Sequence, residues 1–165
     1  AGISNYKPAE TSKAAAILKE LNVPCLIHQP NYSMLDRWIE KELQDVLQKE
    51  GIGSIVFKPL EQGLLTGKYL SDIPENSRIT TDSRFLKPDS LDKVTLEKIA
   101  RLKTVADNRG QSLAQMAIAW TLRDNKVTSA LIGASRPDQI LENVKALDNL
   151  DFSAAEISEI DSILE

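Results

Sequence analysis

ALIGASRPDQILENV, residues Ala130–Val144, changes its periodicity halfway along. Ala130, Leu131 and Ile132 form a short apolar run that stops at Gly133, whereas Pro137 opens a segment with Ile140, Leu141 and Val144 at helical spacing. The first part reads as a buried strand over 129–132, the second as an amphipathic helix over 137–147 with proline in its first turn. Ser135 and Arg136 stand at the junction. Such a junction can be a plain turn. It can also be an anion site, because a helix N-terminus presents unpaired N–H groups and the positive end of the helix dipole. This stretch alone leaves both readings open.

The same change of period recurs upstream. AGISNY (1–6) reads as the end of a strand, PAETSKAAAILKEL (8–21) as an Ala-rich helix, and PCLIH (24–28) as a buried strand. DRWIEKELQDVLQKE (36–50) predicts a helix stopped by Gly51, and SIVF (54–57) another buried strand. From Lys58 to about Ser90 the chain reads as irregular, with one short helical turn over 64–69. Helices are expected over 91–108 and 112–123, the second opened by a Ser112–Gln115 capping box. A last helix follows the Ser153–Glu156 box. Short apolar strands alternating with helices predict an α/β fold with a parallel sheet. The informative polar residues follow strands: Ser4 and Asn5, Gln29, Lys58, and Ser135 with Arg136. In a (β/α)8 barrel those are positions of the active face, and phosphate sites favour the loops after the last two strands. An open doubly wound sheet also binds ligands at strand ends, but its G-x-G-x-x-G fingerprint is absent.

Bulk properties narrow the function class. The 165 residues suffice for a buried core, and 42% apolar with 27% charged residues is an ordinary globular composition. A net charge of −4 argues against a nucleic-acid partner. No long apolar run suggests a membrane span, and the single cysteine, Cys25, fits a reducing compartment, so a cytoplasmic protein is expected. No metal-ligand spacing is present.

GISNY, HQPNYSML, FKPLEQGLLTGKY and IGASRPDQILENV, in this order and spacing, resemble the C-terminal half of an aldo-keto reductase barrel. The most similar subgroup holds potassium-channel β subunits and bacterial reductases of methylglyoxal and related aldehydes. The resemblance spans essentially the whole chain. It implies the C-terminal half of a (β/α)8 barrel, from the end of strand 5 to the C-terminal helix over residues 1–165, with the N-terminal catalytic half lying upstream.

What the resemblance implies falls residue by residue. Ser4, Asn5 and Gln29 match the set that holds a nicotinamide carboxamide, which suits side chains offering both donors and acceptors. Phe57 matches the ring stacked on the nicotinamide. Lys58, Pro59, Leu60, Gln62 and Gly63 match the loop passing the pyrophosphate, where glycine permits close backbone approach. Lys68 and Arg78 match positions reaching the adenosine phosphate and adenine. Gly133, Ser135, Arg136, Gln139, Glu142 and Asn143 match the 2′-phosphate and adenine set, so NADP(H) is implied over NAD(H). Lys58 and Glu61 depart from the small and hydroxyl residues common in that loop.

The Asp, Tyr, Lys and His tetrad of the family comes from the first four strands, upstream of Ala1. His28, the only histidine, does not match it. The implied activity is NADPH-dependent reduction of aldehydes or ketones, this chain carrying most of the cofactor site and none of the tetrad. An NADP(H)-sensing regulatory subunit and an inactive half-barrel are the alternatives. The implied partners are a small carbonyl substrate and either the missing half-barrel or a second copy across an open sheet face that includes some of Leu26, Ile55, Val56 and Leu131.

Taken singly, the same residues have plainer readings. Ser4–Asn5 could cap the helix at Pro8, Phe57 could be core, and Lys68 and Arg78 solvated charges. Trp38 and Trp120 fit helix packing, Cys25 an inert strand position, and His28 a satisfied strand end.

Overall fold

Four short strands lie in space in the order in which they follow one another in sequence: β1 Gly2–Ser4, β2 Ile27–Gln29, β3 Gly53–Phe57 and β4 Ser129–Leu131. Every pair is parallel, as crossover helices between successive strands require. The computed structural model describes residues 1–71 and 91–165. These divide into two compact units, Ala1–Pro59 with Thr121–Gly133, and Leu60–Trp120 with Ala134–Glu165.

The first unit holds the whole sheet. Helix α1, Pro8–Glu20, starts where the Lys7 backbone N–H donates to Glu10 Oε2 at 2.8 Å, with proline in its first turn. Helix α2, Leu43–Glu50, buries Leu43 and Leu47 and stops at Gly51, whose φ of +68° favours glycine. One face of the sheet is covered, with His28, Ser54 and Val56 at 0–1% exposure. On the other side Ile27 and Leu131 remain 37% and 44% exposed. Val56 therefore belongs to the covered face and Leu131 to the open one, while Leu26 precedes β2 and is exposed outside the sheet.

Several boundaries differ from the sequence reading: the helical turn expected over 64–69 lies at Glu61–Thr66, and the helix expected over 137–147 gives way after Val144 to a 3-10 turn, Lys145–Asp148. The strand expected over 24–28 begins at Ile27 and runs through Gln29, because Pro24 has no N–H to give a ladder. The helix expected over 36–50 is replaced at its start by a tight turn, in which Asp36 N–H donates to Ser33 O and Oγ, and a 3-10 turn over Trp38–Glu40. Asp36 and Glu40 are drawn into side-chain bonds there, and local bonds of this kind compete with helix propagation.

The second unit is helical in its described part: a 3-10 segment Glu61–Thr66, then α3 Lys93–Asn108, α4 Leu113–Leu122, α5 Pro137–Val144 and α6 Ala154–Leu164. The last two residues of α4 count with the first unit. Both capping boxes form: Gln115 N–H donates to Ser112 Oγ at 3.3 Å, and Glu156 N–H to Ser153 Oγ at 3.2 Å. Asp92 caps α3 through Thr95 N–H at 2.9 Å. Arg109, 3% exposed along its side chain, bonds Glu156 at 2.6 Å, donates to Asp151 O at 2.9 Å and stacks 3.7 Å from the Phe152 ring centroid. No helix among the described residues is long and apolar enough to cross a membrane.

Candidate functional site

In the first unit the polar residues that follow strands gather at one end of the sheet. Ser4 and Gln29 are register partners at the last positions of β1 and β2. Ser4 Oγ donates to Gln29 O at 2.8 Å and Asn5 N–H to the same oxygen at 3.2 Å. Asn5 has a φ of +56°, which asparagine tolerates better than most residues. Its Oδ1 accepts the backbone N–H of Asn31 at 3.1 Å. Lys7 caps α1, so the plainer reading of Ser4–Asn5 as that cap fails.

Phe57 closes β3 beside them. Its N–H donates to Pro30 O at 3.0 Å and its carbonyl accepts from Tyr32 N–H at 3.2 Å, joining the chain that leaves β2 to the end of β3. The Phe57 ring is half-buried, and Lys58 Nζ lies 5.6 Å from its centroid. Lys58 adopts a φ of +59°, Pro59 is buried, and Gly133 is exposed beyond β4. Ser4, Asn5, Gln29 and Phe57 thus share one sheet end that offers a hydroxyl, two carboxamides and an aromatic face. The Gln29 carboxamide and the Asn5 Nδ2 group have no hydrogen-bond partner among the described residues.

His28 precedes Gln29 and points to the opposite face, as strand alternation requires. It is fully buried, its Nε2 bonds Tyr6 O at 3.1 Å, and its Nδ1 has no partner among the described residues. Burial lowers its pKa against the opposing influence of the Tyr6 carbonyl. The expectation of a satisfied histidine is met at one nitrogen only. Trp38, read as packing, has a polar role as well: its Nε1 donates to Asn31 O at 2.9 Å and Oδ1 at 3.2 Å.

A partly buried network adjoins this end through Tyr32, whose N–H bonds Phe57 O. Tyr32 OH donates to Glu40 Oε1 at 2.5 Å and accepts from Arg123 Nη1 at 2.9 Å, while Arg37 Nη2 lies 2.8 Å from Glu40 Oε2. Burial raises the Tyr32 phenol far above its ordinary value, the Arg123 charge opposing. For Glu40, burial is the largest single influence and raises the carboxyl. The bonds from Arg37 and Tyr32 with the Arg37 charge outweigh it, so the group is held below the usual carboxylate range.

In the second unit the loop after Leu60 runs through three successive left-handed residues, Glu61 at +42°, Gln62 at +56° and Gly63 at +100°. Only the last adopts this freely, and the other two cost about 1 kcal/mol each. A Cβ on Gly63 would stand 3.0 Å from Lys68 Nζ, so the ammonium lies against bare backbone. Leu60 and Gln62 are half-buried.

At the start of α5 three donors meet one acceptor. Gln139 Oε1 accepts from Ser135 N–H at 2.8 Å, Arg136 N–H at 3.3 Å and Ser135 Oγ at 3.2 Å. The exposed Arg136 makes no salt bridge among the described residues. One turn on, Glu142 Oε1 accepts from Gln115 Nε2 at 2.9 Å, and Asn143 is buried. Gln115 therefore links the α4 cap to Glu142; the sequence revealed only its part in the cap. Arg78 lies outside the described residues.

Comparison with known proteins agrees with this geometry. The chain is 51% identical over 164 residues to a protein of Escherichia coli named L-glyceraldehyde 3-phosphate reductase, covering 97% of this chain and 47% of that protein. It is 37% identical to a putative voltage-gated potassium channel subunit beta of Schizosaccharomyces pombe, covering 99% of this chain and 49% of that one. The solved structure of a glycerol dehydrogenase from Gluconobacter oxydans superposes with a TM-score of 0.77 at 28% identity, over 99% of this chain and 48% of the other. The chain thus spans about half the length of the curated relatives it matches, and its parallel α/β fold is that of half a (β/α)8 barrel. Its relatives are the expected ones, bacterial reductases and channel β subunits. With the Aldo/keto reductase family model matched over residues 1–165, the chain belongs to that family.

Proposed function

We propose that the protein containing this chain is an NADP(H)-dependent, cytoplasmic reductase of small aldehydes or ketones. In this reading the chain is the C-terminal half of the barrel. It carries most of the cofactor site, and the Asp, Tyr, Lys and His tetrad comes from an upstream half. The observation that carries the reading is the convergence of Ser135 N–H, Ser135 Oγ and Arg136 N–H on a single acceptor, beside a guanidinium with no salt bridge among the described residues. That donor set suits a phosphate in number and charge.

The other residues suit the rest of the cofactor. Ser4, Asn5 and Gln29 would hold the nicotinamide carboxamide, with the Phe57 ring against the nicotinamide face. Lys58, Pro59, Leu60, Gln62 and Gly63 would follow the pyrophosphate, and the bare Gly63 backbone under Lys68 Nζ suits close approach of an anion. Lys68 and Arg78 would reach the adenosine phosphates. Gly133, Gln139, Glu142 and Asn143 would border the 2′-phosphate and adenine. When bound, the cofactor supplies the hydride. The chain's own groups orient the carboxamide and fix the phosphates, and the chain alone is inactive.

The 51%-identical relative's name favours a reductase over a channel-type sensing subunit, whose similarity is 37%. It also makes a phosphorylated three-carbon aldehyde the first substrate to try. The test uses the protein as its gene encodes it, with NADPH binding by calorimetry and NADPH consumption with that aldehyde and its unphosphorylated form. Tight NADPH binding with aldehyde-dependent turnover is expected. A folded protein that binds no NADPH overturns the proposal, and binding without turnover on any aldehyde moves it to the sensing subunit.

A further inference from the structure

The side chain of Asn5 is held by a residue outside the set matched to the cofactor. Asn31 N–H donates to Asn5 Oδ1 at 3.1 Å. Asn31 lies between the two peptide groups that pair with Phe57, the Pro30 carbonyl and the Tyr32 N–H, and forms a parallel bridge with it. One residue thus bonds the Asn5 amide and stands in backbone register with Phe57.

Asn31 is itself fixed on three sides. Trp38 Nε1 donates to its backbone oxygen at 2.9 Å and to its Oδ1 at 3.2 Å, and its Nδ2 donates to Asp36 Oδ2. The Trp38 ring is in turn covered by Lys7 Nζ, 3.9 Å from its centroid, and Lys7 is two residues from Asn5. The ring N–H is the only polar hydrogen of that side chain, so its whole bonding capacity is spent on Asn31.

We propose that Trp38 and Asn31 are positioning residues for the nicotinamide end of the site, a proposal that rests on the reading of Asn5, Gln29 and Phe57 given above. Trp38 holds the Asn31 carbonyl and side chain, and the Asn31 N–H occupies Asn5 Oδ1. Asn5 then turns its Nδ2 donors outward, toward the carbonyl oxygen of a carboxamide. Without the lock the Asn5 amide is free to rotate, and a ligand must then bear the cost of ordering it. Neither residue touches the cofactor in this arrangement.

Trp38→Phe keeps an aromatic ring for Lys7 to cover, though a smaller one, while deleting the N–H. In the gene-encoded protein, calorimetry would measure the affinity for NADPH and for adenosine 2′,5′-bisphosphate, which has the adenosine end and no nicotinamide. The loss of one hydrogen bond's worth of order predicts an NADPH affinity about fivefold weaker, with the bisphosphate affinity unchanged. Asn31→Ala, which removes the Oδ1 and Nδ2 bonds but keeps the backbone N–H, serves if Trp38→Phe does not fold, and the same split is expected. Equal losses for both ligands, or no loss for either, overturn the positioning role. A wild-type protein that fails to bind NADPH overturns the proposed function as well, and the two failures are thereby told apart.

Discussion

Gln139 Oε1 accepts the Ser135 backbone hydrogen across 2.8 Å, so the donors at the start of α5 are already held by the helix's own side chain. Any anion seated there must displace that oxygen. Gln139→Glu puts a carboxylate of the same reach on these donors, where the helix dipole strengthens its grip. The variant should keep or gain thermal stability while binding NADPH more weakly and NADH about as before. Equal losses for the two cofactors, measured by calorimetry on the gene-encoded protein, would show that a 2′-phosphate does not meet these groups.

Arg136 tests the same phosphate from the other side. Its guanidinium is exposed and offers a planar fork that a phosphate can use bidentately. Arg136→Ala should weaken NADPH about tenfold more than NADH, the range of one charge-assisted bond. A uniform loss would place Arg136 in stability, not cofactor choice.

Phe57 bears on the opposite end of the cofactor. Phe57→Ala should weaken NADPH by about 1–3 kcal/mol by removing an aromatic face. The affinity for adenosine 2′,5′-bisphosphate should not move. A folded variant that binds NADPH as well as wild type would leave Phe57 as core.

Much of this arrangement was legible in the sequence because local chemistry and tertiary position agree in it. Gly133, Ser135, Arg136 and Pro137 announce a strand end, a polar turn and a helix start, and each stands where that reading puts it. The Ser112–Gln115 and Ser153–Glu156 boxes formed for the same reason, since a cap needs only its own helix. Failures came where bonds outside the helical repeat decide, some of them from far along the chain. Residues 36–42 carry helical spacing, yet Glu40 is claimed by Arg123, 83 residues away, and Asp36 by a turn from Ser33. Trp38 fits a helical stripe, and nothing in its spacing shows the bond to Asn31. The proline before Asn31 marks a turn, but the partner of its N–H follows only from strand register.

Acid should unfold the protein earlier than its composition suggests. Glu156 is held below its ordinary value of 4.5 first by the Ser153 hydroxyl and backbone and then by Arg109. Glu40 is lowered from the same value. A carboxyl whose folded pKa is depressed adds stability that is complete above the unfolded value and lost as pH falls through the folded one. These two carboxyls should therefore add a loss that begins near pH 5 and grows below 4.5, on top of the loss below about pH 6.5 that the buried His28, its pKa lowered, contributes. Arg109→Ala should lower stability by about 3 kcal/mol, the low end for a buried pair because Glu156 is 30% exposed, and should shrink the acid-dependent loss. Urea melts of wild type and variant between pH 3 and 7 would check both, and an unchanged pH slope would remove Glu156 from the account.

The open sheet face makes a prediction about residues 1–165 expressed by themselves. β1 and β4 each have a single strand neighbour among the described residues, so each leaves a row of backbone groups unpaired. Leu131 at 44% and Ile27 at 37% exposure add apolar surface on the open face. In an eight-stranded barrel the opposite strands cover such a face with interleaved side chains. Water can solvate the edges but gains nothing from the apolar groups, so association is favoured over a monomer. The isolated span should sediment as a dimer or larger species, melt without a sharp transition, and consume no NADPH with any aldehyde. Adding the upstream half of the gene product as a separate chain should restore a cooperative melt. A monomeric isolated span with a sharp melt would defeat the structural argument, and aldehyde-dependent turnover above a no-enzyme control would defeat the assignment of the tetrad to the upstream half.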